Sequence, residues 1–170
     1  MPALRHLATL LLAAILAAGA ARADDLADVQ RLAGAGDLAG ALQRADLALK
    51  TRPRDAQLRF VRGVLLADLK RDADAMAVFQ QLHEDYPELP DPLNNLAVVL
   101  AGQGRIDEAR AALESALRND GQHRNARENL ADIYLRLAVR LWSGLASTGP
   151  ADPAVERKLR LAREILRAPV

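Results

Sequence analysis

The sequence contains no cysteine. Disulfides, thiolate nucleophiles and Cys-ligated zinc are therefore excluded. So is a lipid anchor of the bacterial lipoprotein kind, which attaches through that residue. Aromatic residues make up only 3% of the 170 residues, and β-branched residues are few, so there is little here of what strands prefer. Charge of one sign is also missing, with 23 Lys+Arg against 22 Asp+Glu. A nucleic-acid binder carries a basic face that neutralises phosphates, and nothing in this balance indicates one. Beyond the N-terminus no run approaches the roughly 18 apolar residues that span a bilayer.

What the chain does have is Ala, Leu and Arg in abundance. These are strong helix formers because they lose little side-chain freedom in a helix. With an apolar fraction of 51%, the composition is that of a globular all-α protein rather than a disordered one.

Residues 1–23 read as a secretory signal peptide. Arg5 and His6 form a positive n-region, Leu7 to Ala18 an apolar h-region, and Ala21-Arg22-Ala23 a small-residue cleavage site before Asp24. Ala18-Gly19-Ala20 is a second possible site. The alternative, an uncleaved anchor, requires a longer apolar run. Cleavage removes Arg5 and Arg22 and no acid, leaving 21 basic against 22 acidic residues. The expected location is periplasmic, with a mature chain that does not insert into the membrane.

An internal repeat runs through the rest. Pro53 and Pro87 lie 34 residues apart, and the same spacing joins Ala41, Ala75 and Ala109. It also joins Ala48, Leu82 and Ala116, then Val29, Gly63, Ala97 and Ala131, and finally Leu32, Leu66, Leu100 and Tyr134. Small residues at Gly63/Ala97 and Ala75/Ala109 let paired helices approach, while Leu66/Leu100 and Phe79/Leu113 fill the grooves around them. Gly36 and Gly104 mark turns inside two of the repeats, and Asp37 and Asp107 sit early in the helices that follow. Asp91-Pro92 and Asp152-Pro153 each offer an N-cap followed by Pro at the first helical position.

These columns resemble those of the tetratricopeptide repeat (TPR) family, whose 34-residue unit is a helix–turn–helix pair. The resemblance covers roughly residues 24–136. It implies an all-α, right-handed TPR solenoid of about three to three and a half repeats closed by a capping helix. Repeat one is then 24–55, repeat two 56–89, repeat three 90–123, and 124–147 a partial fourth. The inter-helix Gly is missing from the fourth, so Gln122 to Ser143 reads as one long helix or as two with a tight join. Gly144 to Gly149 reads as a break that leads into a final segment, 148–170, of loop and capping helix. The cap, from Pro153, places Val155, Leu159, Ala162 and Leu166 on one face. Arg157, Lys158, Arg160, Arg163 and Arg167 then face water, or mark an anionic partner.

No set of residues converges on catalysis. His83 and His123 have no partner at metal-ligand spacing and read as solvated. Asp72 and Asp74 read as helix-start residues, and Gly102-Gln103-Gly104 as a turn without a phosphate-loop sequel. An enzyme, a metal site and a bound cofactor are not expected. In TPR proteins that bind peptides the first helices line a groove, and the resemblance implies such a site in Phe60, Val64, Asp91, Asn94, Asn95, Val98, Asn125, Glu128, Asn129 and Asp132. Leu26, Gln30, Val61 and Asp68 fall on the same columns, although Phe60, Val61 and Val64 read equally as core. Asn suits a peptide groove because its amide both donates and accepts.

The family's carboxylate clamp needs Lys or Arg among columns that here hold Asp91, Asn95, Asn125 and Asn129, and only Asn95 matches a clamp Asn, so capture of an acidic C-terminus is not expected. The implied ligand is a segment of another protein, apolar at one end and neutral or basic at the other. The implied role is an adaptor for a cell-envelope complex, with a chaperone-like holder of unfolded exported chains as the alternative.

Overall fold

The computed structural model describes residues 25–147 and 152–167, and the expected leader 1–23 lies outside the described residues. Every regular element among the described residues is a helix. In order they are α1 (25–34), α2 (Leu38–Thr51), α3 (Ala56–Asp68), α4 (Asp72–Asp85), α5 (Asp91–Gly102), α6 (Ile106–Asn119), α7 (Arg124–Ser147) and α8 (Pro153–Ile165). This is the all-α arrangement of helical hairpins that the repeat columns imply. The chain divides into two compact units, and the division falls inside α4, between Val78 and Phe79.

In the first unit α2 packs on α3 over a core of Val29, Ala41, Leu42, Ala45, Leu58, Leu65 and Leu66. Ion pairs brace its edges. Asp25 of α1 binds both Arg44 and Arg52, and Arg62 of α3 reaches Asp46 of α2 at 2.6 Å. In the second unit α5 packs on α6, α6 on α7, and α7 on both α5 and α8. Its core joins Leu96, Ala97 and Leu100 of α5 to Ala109, Leu113 and Ala116 of α6, Ala126 and Ile133 of α7, and Leu159 and Ala162 of α8. Arg140 of α7 grips Asp107 of α6 through two hydrogen bonds of 2.9 and 3.2 Å. That guanidinium holds the Asp107 carboxyl below its usual range. The pair's contribution is complete above the ordinary carboxylate pKa and fades as pH falls through the lowered value. Both side chains are exposed, so that contribution is small.

The 34-residue columns explain which positions are buried. Ala41, Ala75 and Ala109 are all inaccessible, as are Gly63 and Ala97, and Leu66 and Leu100. Leu32 in the first repeat is half-buried, and the columns fail outright in the fourth, where Ala131 and Tyr134 are exposed. The turns explain why. Gly36 and Gly104 have φ of +82° and +75°, and Lys70, 34 residues from each, has φ of 61°. At all three the same two hydrogen bonds close the preceding helix: Gly36 N to Ala33 O and Asp37 N to Leu32 O, then Lys70 N to Ala67 O and Arg71 N to Leu66 O, then Gly104 N to Ala101 O and Arg105 N to Leu100 O. This is the Schellman closure, which needs one left-handed residue. The next position in the series is Ala138, which sits inside α7. Without a left-handed turn the helix continues as one element to Ser147. Gly144, expected to start a break, is its last-turn residue, where an added Cβ would meet nothing within 4 Å.

Aspartate side chains cap three of the described helices. The Asp37 carboxylate accepts from Gly40 N, that of Asp55 from Leu58 N, and that of Asp152 from Ala154 N. Asp91 departs from expectation. Pro90 occupies the N-cap position of α5 and no side chain caps it, because the Asp91 carboxylate turns instead to His123 at 3.0 Å.

Two measurements of denaturation midpoint test this account. A left-handed Lys costs about 1–2 kcal/mol, while glycine's extra unfolded-state freedom returns about 0.5–1 kcal/mol of that. Lys70→Gly should therefore stabilise by about 0.5–1 kcal/mol. Ala97→Leu should cost about 1–3 kcal/mol by overpacking, whereas Ala131→Leu, in the same column, should stay within about 0.5 kcal/mol of the parent.

Candidate functional site: a groove between α5 and α7

Helices α5 and α7 lie beside each other in the second unit and leave an open depression of about 290 Å³. Its floor is Ala97, Ala101 and Gly102 of α5, Leu113 of α6 and Ile133 of α7. Val98 stands on one wall, and Asn129, Asp132 and Arg136, spaced three and four residues apart on α7, form the other. The floor is shallow-sided because small residues recur along α5 at Ala97, Ala101 and Gly102. Val98 is the one large aliphatic of α5 left open, at 51% exposure.

Asn94 is the only buried polar side chain among the described residues, at 6% exposure. It is not a free groove contact. Its Oδ1 accepts from Nδ2 of Asn129 across the two helices at 2.9 Å. A buried amide left without a partner would cost about 1–3 kcal/mol, so this bond fixes the spacing of α5 and α7 at the groove. Asn95 spends its own amide N–H on the Asp91 carbonyl one turn back, at 3.0 Å. Asn95 and Asn129 thus each commit one of their two amide N–H groups within the protein.

At the N-terminal end of the same helix pair sits His123. Its Nδ1 accepts from Ala126 N at 3.1 Å, capping α7, and its Nε2 lies 3.0 Å from the Asp91 carboxylate. The two bonds require the neutral tautomer with hydrogen on Nε2. His123 is thus a half-buried strut and not the solvated loop residue expected from sequence. His83 is half-buried as well. Asn119 adds a second tie, donating from Nδ2 to the carbonyl of Pro87.

The structure therefore gathers Val98, Asn129 and Asp132 around one depression, with Asn94 behind them as support. Asp91 and Asn95 lie at the start of α5, and Asn125 and Glu128 are exposed on the first turns of α7. Phe60 and Val64 are half-buried on α3 of the other unit. Arg136 and the small-residue floor were not anticipated. Arg136 follows Asp132 by one turn, so extending that stripe would have found it. Among the described residues no group of His, Asp or Glu is placed to hold a metal ion, and no helix is long and apolar enough to cross a membrane.

Comparison with known proteins agrees with the fold. The tetratricopeptide repeat family model matches residues 26–90, and the coatomer epsilon subunit model matches residues 64–139. Residues 26–90 thus match the tetratricopeptide repeat model, in agreement with the helical-hairpin structure there. A curated relative, the TPR repeat-containing thioredoxin TTL4 of Arabidopsis thaliana, is 37% identical over 65 residues, which are 38% of this chain and 10% of that protein. The chain thus spans only about a tenth of that relative's length. The first TPR of Spaghetti (RPAP3), solved bound to the HSP90 peptide SRMEEVD, superposes with a TM-score of 0.60 at 16% identity, over 65% of this chain and 88% of that one. Crystalline MamA superposes with a TM-score of 0.59 at 18% identity, over 82% and 85%.

The His123 strut is tested by substitution. His123→Ala removes the cap and the Asp91 tie and should cost about 1–2 kcal/mol by chemical denaturation. His123→Asn, which restores a capping oxygen, should recover about half of that loss.

Proposed function

We infer that this chain is a non-catalytic scaffold that takes a segment of another protein into the α5–α7 groove. The carrying observation is the groove itself: an apolar floor whose width is set by the buried Asn94–Asn129 bond, edged by Val98, Asn129, Asp132 and Arg136. A preformed slot lowers the ordering cost of binding. The RPAP3 domain, similar in fold, takes a peptide with three acids in seven residues. Here Asp132 and Arg136 line the depression, and Asp91 and Glu128 are exposed on the early turns of the same two helices. A ligand of that acidity is disfavoured. The fitting segment is apolar along the floor and neutral or basic where it meets Asp132. The pattern of residues 1–23 supports export, and with it a periplasmic adaptor of a cell-envelope complex. The open Val98 supports a second reading, a holder of unfolded exported chains.

Affinity capture from the native host with the tagged full chain, compared with a Val98→Asp/Asp132→Asn variant of equal melting temperature, tests the site. The variant should lose at least about tenfold in recovery of the bound protein. Equal recovery would remove the groove as the binding site. One dominant partner favours the adaptor, and a broad set of unfolded chains the holder. The mass of the recovered chain reads out directly whether residues 1–23 are lost.

A further inference from the structure

We propose that the α7–α8 pair carries a second interaction face, distinct from the groove, which adsorbs to an anionic lipid surface. It begins where the repeat pattern ends. In repeat three the first helix buries Ala97 and Leu100. The matching α7 positions, Ala131 and Tyr134, are exposed, because α7 does not turn at Ala138 and α8 packs on a different side of it. Successive helical residues rotate by about 100°, so Tyr134, Leu141 and Leu145 form one stripe on α7, with Arg127 at its N-terminal end. Leu141 and Leu145 are 67% and 60% exposed. On α8, Leu159 and Ala162 are buried, whereas Leu161 and Ile165, about a third of a turn away, are 50% and 61% exposed.

Two contacts show that these residues share one side of the helix pair. The Lys158 ammonium lies 6.0 Å from the centre of the Trp142 ring. Trp142 is on the edge of α7 next to Leu145, and Lys158 on the edge of α8 next to Ile165. The Arg163 to Ser143 hydrogen bond, 3.2 Å, marks the opposite edge. The first side thus presents four large aliphatic residues and the chain's single Trp, edged by Arg127, Arg157 and Lys158. Residues 156–167 carry five cations against two acids.

Exposed aliphatics, an indole at their margin and a cationic border are the composition of a helix that lies in the headgroup region. No helix is required to cross the bilayer. The basic edge selects anionic lipid, each cation near such a surface contributing about fivefold in affinity. A second copy docked on the same face would set Arg157 and Lys158 against themselves, so the charge favours lipid over self-association.

The test uses Trp142 in the full chain, since residues 1–23 contain no Trp and are common to every variant. Vesicles of phosphatidylglycerol with phosphatidylcholine, brominated on the acyl chains, should quench Trp142 emission, and added salt should release it. Leu161→Asp/Ile165→Asp should abolish quenching. Arg157→Gln/Lys158→Gln, which keeps every apolar residue and so controls for unfolding, should weaken it by about 25-fold. No quenching of the folded parent overturns the proposal. So does equal, salt-insensitive quenching by pure phosphatidylcholine vesicles. Doubled mass in light scattering, with a shifted Trp142 emission in the absence of lipid, also overturns it and assigns the face to a second copy.

Discussion

Three left-handed residues, at positions 36, 70 and 104, are what the rest of this molecule depends on. Each lets two backbone N–H groups fold back onto the last turn of a helix and ends it at a fixed place. The following helix then starts in a fixed direction, so small residues such as Ala75 and Ala109 always arrive where a partner helix needs room. Burial of Leu66 and Leu100 follows from that registration. Hydrophobic burial supplies most of the stabilising free energy, at roughly 25 cal/mol per Å², but it is non-directional. Direction comes from the turns. Glycine provides it at two of the three sites without strain, and Lys70 shows that packing on either side suffices to hold a non-glycine residue there.

The groove inherits this order and adds one polar constraint. Two apolar helices could settle at several separations, but a buried amide accepts only those that satisfy it. Asn94 therefore acts on the binding surface without lying on it. His123 and Asp91 do the same at the end of the pair, tying the start of α7 to the start of α5. A partner segment meets a slot whose walls are set by hydrogen bonds behind them, with Val98 and Asp132 exposed along its edges.

Much of the fold was legible because a repeat writes each packing decision several times. The Ala41/Ala75/Ala109 and Leu66/Leu100 columns, the Asp37 and Asp152 caps and the all-helical class could be read directly. Lys70 could not be recognised as a left-handed turn, because the identity of that residue carries no such signal; only its spacing from Gly36 and Gly104 does. The roles of Asn94 and His123 were also hidden, since an amide or imidazole in a helical stretch looks the same whether it faces water or a neighbour 30-odd residues away. The side of α7 on which α8 packs depends on tertiary contacts that no repeat rehearses. The leader and the location it implies rest on composition alone.

The identical closures at 36, 70 and 104 bear on how such a chain can change in length. Losing or gaining one residue between two of these turns would rotate everything beyond it by about 100° around its helix axis and carry small residues away from their contacts. A whole 34-residue unit keeps every later side chain on its face. Duplication and deletion are thus tolerated in complete modules and selected against in fractions of one.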